Sequence, residues 1–548
     1  MHHLQEDVFT LLIEIQLLLE LNNENPFKIR AFEKAAKKIT DIQDLEDRAR
    51  AGTLVEIEGI GKSISEILTE FITQGTCPVR DELQKKLPKG LLELTQISGL
   101  GPKKAKKLIN ELEIHSVREL EYACKENRLL KLKGFGGKIQ NNIIKEIKRL
   151  KSNDGKVKLV DPIVYSETFL KALRQQLSVN TGDFQVSETG EIRRKCEILT
   201  KLEYLIGLQK ASGSLLKIIS EFKNQYVKSN PFPVVIQIHI VDTDVFAYEL
   251  FKTTGSEEHL KNLKLEKTSF SKEDEIYKTF GLPWISPELR ETGHEIELAK
   301  QGKLKDILPI NGLQGIFHVH TTWSDGSASI ENMVKAAKAN GFRYIGISDH
   351  SQSAFYANGL KPESINAQEK EIKNVQEKYP EIKIFWGIES DILEDGSLDY
   401  EAYILKRFDF VIASVHSRFK MDQKQMTERV LNAIRSPYTH FLGHMTGRLL
   451  LGREGYALDI EKVITEASKY NVAIELNANP MRLDVDWRYG DLLRKNKTLV
   501  CINPDAHSVS GLQDTDYGVW MVRKALLPSF QIINTKDAQA ITKWLKDR

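Results

Sequence analysis

The sequence predicts a multidomain chain of mixed α+β and α/β class: an all-α region over residues 1–150, an α+β region over 151–300 and a closed β/α barrel over 314–548. Three observations carry this prediction. A Gly-x-Gly tripeptide followed by an amphipathic helical stretch occurs three times in the first region, about 40 residues apart. The stretches "EILTKLEYLIG" and "VVIQIHIV" read as neighbouring strands of a small sheet. From residue 314 onward, short apolar strands and helical stretches alternate about seven times, the pattern of a parallel barrel with its site at the C-terminal strand ends.

Bulk properties narrow the class. With 548 residues, 41% of them apolar and 28% charged, the chain can bury several ordinary globular cores. Cys77, Cys124, Cys196 and Cys501 lack any paired CxxC spacing, so neither a disulfide framework nor a thiolate zinc site is expected. No run of about 18 apolar residues occurs, and "MHHLQEDVF" lacks the basic-then-apolar order of an export signal, so a cytoplasmic protein without a membrane partner is expected. The net charge of +2 singles out no partner. Residues 101–150, however, hold 13 Lys or Arg against 6 Asp or Glu, which suits a phosphate-facing surface or a solvated helix face.

The repeated turns are "VEIEGIGKSISEIL", "TQISGLGPKKAKKLI" and "LKLKGFGGKIQNNII". Their glycines, Gly59 and Gly61, Gly99 and Gly101, Gly134 and Gly136, permit positive φ and remove side chains, so the N–H groups at each helix start can approach a phosphate oxygen. Lys62, Lys103 and Lys138 follow directly. A single copy serves equally as a plain inter-helix turn; three copies favour binding. These stretches resemble helix-hairpin-helix motifs, which grip the DNA backbone without reading bases, and "NPFKIRAFEKAAKKI" looks like the opening helical domain of family X DNA polymerases. Members of that family with deoxyribose-phosphate lyase activity carry a Schiff-base lysine in the helix after the first hairpin. The matching position here is Ile67, so that lyase route is not expected.

The resemblance continues into residues 151–300, which look like a family X palm and thumb. Polymerases of the family have a Gly-Ser pair, two arginines, a strand with Asp-x-Asp and a third Asp on the next strand; together the three carboxylates hold two Mg2+. In "GEIRRKCEILTKLEYLI", Glu191 replaces the serine, Arg193 and Arg194 remain, and Lys201 and Glu203 occupy the acid pair. Gln237 stands at the third acid. "FKTTGSEEHLKNL" still resembles the turn that grips an incoming sugar. An ammonium beside the site repels Mg2+, so the resemblance implies a degenerate polymerase site. In a rival register, Asp242 and Asp244 would supply the acids.

In the last region, "GIFHVHTTWSDG", "YIGISDHS", "IFWGIESDIL", "FVIASVHSRF", "HFLGHMTGR", "VAIELNANP" and "LVCINPDAHS" are apolar strands ending in metal-ligand side chains. His318, His320, His350, His416, His444 and His507 sit at or beyond strand ends with Asp325, Glu389 and Asp505, whereas His2, His3, His115, His239, His259, His294 and His440 do not. Alternation places His318 and His320 on one side, as it does Asp505 and His507. Imidazoles and carboxylates without thiolates suit Zn2+, Mn2+ or Fe2+.

The nine residues match the ligand pattern of the PHP domain (polymerase and histidinol phosphatase), a distorted β/α barrel. That resemblance implies three divalent ions. His318, His320, Glu389 and Asp505 would hold one; Glu389 would bridge to a second on His416 and His444; Asp325, His350 and His507 would hold the third. Arg418, Arg448 and Arg453 read either as phosphate clamps or as surface ion-pair residues.

The chain order resembles bacterial PolX-type family X polymerases with a C-terminal PHP domain. It implies a DNA repair phosphodiesterase, a 3′–5′ exonuclease acting on gapped DNA or a free 3′ end, with Glu389, Arg418 and Arg448 as catalytic candidates. Three competing readings are an active family X polymerase, a phosphatase for a small ester and a non-catalytic DNA-binding scaffold. Primer extension, turnover of a small monoester and metal content respectively discriminate them.

Overall fold

The computed structural model describes residues 2–548 apart from residues 40, 41, 43, 89, 96, 98, 126, 127, 211, 231, 266 and 267. The chain forms two compact units, Met1–Asp154 and Gly155–Arg548.

The first unit is helical, with one apolar core around Leu12, Ile15, Phe32, Ile60 and Leu68 and another around Leu94, Leu100, Leu108, Phe135 and Ile147. The three Gly-x-Gly turns lead into the helices Lys62–Gln74, Pro102–Leu112 and Gly137–Asn153. Each turn has the same backbone. Its first glycine is left-handed (φ 96°, 87° and 93°), a conformation that strains any side chain, and its second is an extended N-cap. The middle residue, Ile60, Leu100 or Phe135, is buried and anchors the turn to a core.

The second unit joins a small mixed sheet to a barrel. Strand β1 (Val157–Lys158) pairs antiparallel with β3 (Ile198–Leu199). Strand β4 (Lys201–Leu208) lies between β2 (Phe184–Thr189), antiparallel to it, and β5 (Val235–Asp242), parallel to it. The single strand expected over "EILTKLEYLIG" is thus broken at Thr200. Its backbone N–H and hydroxyl both donate to the Glu191 carboxylate (2.6 and 3.0 Å), which takes the peptide out of the ladder.

The barrel strands are β6 (Gly315–Val319), β7 (Tyr344–Ile347), β8 (Lys383–Asp391), β9 (Phe410–Ser414), β10 (Phe441–Leu442), β11 (Ala473–Asn477) and β12 (Val500–Asn503). They lie in chain order, all parallel. Closure occurs just past β12: His320 N–H donates to the Ala506 carbonyl (2.9 Å) and Ala506 N–H to that of His318 (3.2 Å). Helices such as Ile330–Ala339, Gln423–Arg435 and Ile460–Lys469 cover the outside, each started by a side-chain cap from Ser329, Asp422 or Asp459.

The barrel interior is layered. Phe317, Tyr344, Phe385, Phe410, Phe441, Ala473 and Cys501, one from each strand, form an aromatic floor. Gly346 and Gly387 make room for it, since a Cβ at either would meet the Phe410 ring within 2.8 Å. Two residues further along β8, Glu389 faces the same interior, as a period of two requires. The sheet region packs on the barrel through polar contacts: Trp487 Nε1 and Arg488 donate to Glu197 (3.1 and 2.6 Å), and the fully buried Lys524 ammonium donates to Glu291 (2.5 Å).

Candidate metal centre

Glu389 is the hub of the barrel's open end. Its Oε1 lies 3.2 Å from His318, 3.3 Å from His416 and 3.0 Å from His444; its Oε2 lies 2.8 Å from His350 and 3.6 Å from His320. Asp505 Oδ1 faces His318 (3.4 Å) and His320 (3.2 Å), and Asp325 faces His507 (3.3 Å), His350 (3.6 Å) and His320 (3.8 Å). All nine sequence-derived candidates therefore converge. Their donor atoms form four overlapping groups: His320, Asp325, His350, His507; His318, Glu389, His444; His318, His320, Asp505; and His350, Glu389, His416. His320 and His350 each belong to two groups, so the three sets inferred from the sequence share members.

Positive φ occurs at three of these residues, His444 (φ 20°) and two more strongly left-handed ones. His318 (φ 58°) sits at a register shift between Ile316 and Val319, and Asp505 (φ 52°) is also left-handed. The bulge lets consecutive residues Phe317 and His318 both face inward, one into the floor and one into the cluster.

A supporting layer escaped the sequence reading. Glu475 accepts from His318 Nδ1 (2.5 Å), His444 N–H (3.0 Å), Asn477 (2.9 Å) and Asn503 (3.0 Å), and Asp391 Oδ1 lies 2.6 Å from His416 Nδ1. Such partners fix which ring nitrogen is presented. The signal was present: Asp391 lies two residues after Glu389, and Glu475 and Asn477 alternate along one strand face.

Burial disfavours an imidazolium, yet Glu389 and Asp325 outweigh it and raise His350 to about 10, while Glu389 and Asp391 raise His416 to about 9. Burial would also raise the Glu389 carboxyl, but His318, His416 and His350 hold it well below the usual range. The field therefore favours positive charge at the centre. His318 Nε2, His320 Nε2 and Glu389 Oε2 are buried without a hydrogen bond, which suits coordination by divalent cations.

The arginines separate clearly. Arg418 is exposed and pairs with Glu394 (2.9 Å). Arg448 donates from Nε to the Arg482 carbonyl (3.0 Å), from Nη1 to Asp486 and from Nη2 to the Leu483 carbonyl, so its fork is engaged by protein. Arg453 donates to the Gly447 carbonyl over the Phe419 ring.

On the small sheet, Glu203 lies in register with Gln237, two positions where the family X resemblance expects acids. The Lys201 ammonium contacts the Glu203 carboxylate at 2.8 Å, and His239 lies 3.5 Å away. Asp242 pairs with Leu208, an odd number of positions along, and so faces the opposite side; Asp244 lies in the turn Thr243–Val245. Arg193 is bidentate to Glu273 (2.9 and 2.7 Å), and Arg194 donates to Glu291 (3.0 Å). In the first unit a Cβ at Gly61, Gly99, Gly101, Gly134 or Gly136 would meet nothing, so these turns offer open backbone beside exposed Lys62, Lys103 and Lys138. Ile67, at the lyase position, is buried.

The fold and its polar cluster define a class, a PHP-type barrel preceded by helical hairpins. Family models agree: PHP domain at residues 317–479, SAM-like helix-hairpin-helix tandem at 91–149 and helix-hairpin-helix domain at 5–77. The chain is 33% identical to the DNA polymerase/3′-5′ exonuclease PolX of Bacillus subtilis (strain 168), over 99% of both chains, and it belongs to that PolX family. A protein named a probable phosphatase from Thermoanaerobacter sp. (strain X514) is 30% identical over 32% of this chain and 74% of its own. A solved histidinol phosphate phosphatase from Lactococcus lactis subsp. lactis Il1403 covers 39% of this chain and 93% of its own, at 20% identity and a TM-score of 0.30. Among the described residues no helix is long and apolar enough to cross a membrane.

Proposed function

We propose that this PolX-family chain is a DNA-binding, metal-dependent 3′–5′ exonuclease or 3′-end phosphodiesterase of DNA repair, with its polymerase activity lost or very weak. Residues 1–150 would bind DNA, 151–300 would be the degenerate palm and thumb, and 314–548 would carry the hydrolytic site. The observation that carries the reading is a contrast. Glu389 is ringed by five imidazoles at 2.8–3.6 Å, whereas the Lys201 ammonium already sits on Glu203, where a polymerase would need a metal.

His318, His320, Asp325, His350, Glu389, His416, His444, Asp505 and His507 would hold the ions. Bound divalent cations supply Lewis acidity: they make water nucleophilic near neutral pH and offset charge on the phosphoryl oxygens. The chain's own residues set the rest. Glu475 and Asp391 hold the His318 and His416 rings by their Nδ1 atoms, leaving Nε2 directed at Glu389. The aromatic floor closes the site from below and keeps water on the open side. At the hairpins, the glycine turns and their lysines would hold the duplex backbone by charge and exposed N–H groups.

The test is a labelled primer on a gapped template with Mn2+, with and without dNTPs. Shortening in both supports the reading; template-directed extension at a rate typical of an intact polymerase would refute the palm assignment.

A further inference from the structure

We infer that Arg482, which the sequence did not single out, binds the phosphoryl group of the substrate at the barrel site. The inference rests on the proposed phosphoester hydrolysis and extends it to a specific residue. Of the arginines at this end of the barrel, Arg418, Arg448 and Arg453 already have protein acceptors. Arg482 is different. Its Nε lies 3.6 Å from Asp505 Oδ2, and its guanidinium makes no hydrogen bond among the described residues, although the side chain is only 21% exposed. The guanidinium nitrogens that do not face Asp505 are open to an arriving acceptor, and phosphate oxygens match the fork in pairs.

Its position is also secured. Arg482 N–H donates to the Asn479 carbonyl (2.8 Å), and Arg448 holds the carbonyls of Arg482 and Leu483, so the loop is braced by a second arginine. Asp505 is oriented as well: Oδ2 accepts from Asn477 (3.0 Å) and faces Arg482, while Oδ1 faces His318 and His320. Arg482 thus stands on the flank of a candidate metal ligand, where it can receive a phosphate oxygen without replacing any group of the cluster.

The experiment uses full-length Mn2+-loaded protein, wild type, Arg482→Gln and Arg482→Lys. Inorganic phosphate binding is read by calorimetry, metal content by elemental analysis, and kcat and KM on both a labelled primer and 4-nitrophenyl phosphate. Loss of a charge-assisted pair predicts phosphate binding weaker by about 10- to 100-fold in Arg482→Gln, with an intermediate loss in Arg482→Lys and unchanged Mn2+ content. Unchanged phosphate affinity would overturn the inference. So would a parallel loss of Mn2+, which would make Arg482 a support for Asp505. Calorimetry decides the matter even if wild type cleaves neither substrate, a result that would sink only the proposed activity.

Discussion

Replacing Glu389 by Gln keeps the side chain's size and removes the one charge shared by five imidazoles, His350 at 2.8 Å, His444 at 3.0 Å, His318 at 3.2 Å, His416 at 3.3 Å and His320 at 3.6 Å. The magnitude follows from that arrangement. A hydrogen-bonding partner one layer outside a metal's ligands is worth about 10- to 100-fold in affinity. Glu389 belongs to two of the candidate groups, so its loss is expected to exceed ~100-fold, or about 2.7 kcal/mol. After dialysis against low Mn2+, elemental analysis should find the variant depleted, and release of the 3′-terminal nucleotide from a labelled primer should collapse. DNA binding should persist, because the hairpins belong to a separate compact unit with its own cores. Glu203→Gln in the small sheet is the control and should leave cleavage nearly intact. If Glu389→Gln keeps its metal and its activity while Glu203→Gln abolishes cleavage, the chemistry lies in the sheet and the argument is refuted.

Further outcomes follow from other parts of the chain. A fragment of residues 1–154 should bind duplex DNA with little sequence preference, its affinity falling steeply with salt; filter binding across a salt series checks this, and salt-independent binding contradicts it. Metal binding should weaken as pH falls, because protons held on His350 (about 10) and His416 (about 9) compete with cations; titration at several pH values should show protons released on Mn2+ addition. Burial would raise Glu273, but Arg193 and Arg290 outweigh it and hold it at about 2. Because its folded pKa is depressed, its stabilisation is present above about pH 4.5 and is lost as pH falls toward 2. Glu273→Gln should therefore cost roughly 3 kcal/mol at pH 7 and less in acid, as read by denaturant unfolding.

Much of this was legible in the chain. Short apolar runs ending in His, Asp or Glu pointed to the barrel and, with the PHP resemblance, to its nine polar residues, because alternation and the strand-end rule act locally. The hairpins were legible for a similar reason: a left-handed glycine and an extended one leave a fixed mark whatever surrounds them. Pairing was not local. Nothing in "GIFHVH" shows that a bulge turns Phe317 and His318 the same way, since that depends on closure against Ala506, 188 residues away from His318. The sharing of His320 and His350 between groups likewise depends on how far each strand rises within the closed barrel.

The arginines show the division most clearly. Sequence determines that Arg418, Arg448, Arg453 and Arg482 are present, each with the same five donors. Only the tertiary structure decides which donors are already taken. Arg448 is locked onto the Arg482–Leu483 backbone and Asp486, while Arg482 is left beside Asp505 with its fork open. A hydrogen bond depends on distance and angle between groups far apart in the chain, and those are set by folding, not by the order of residues.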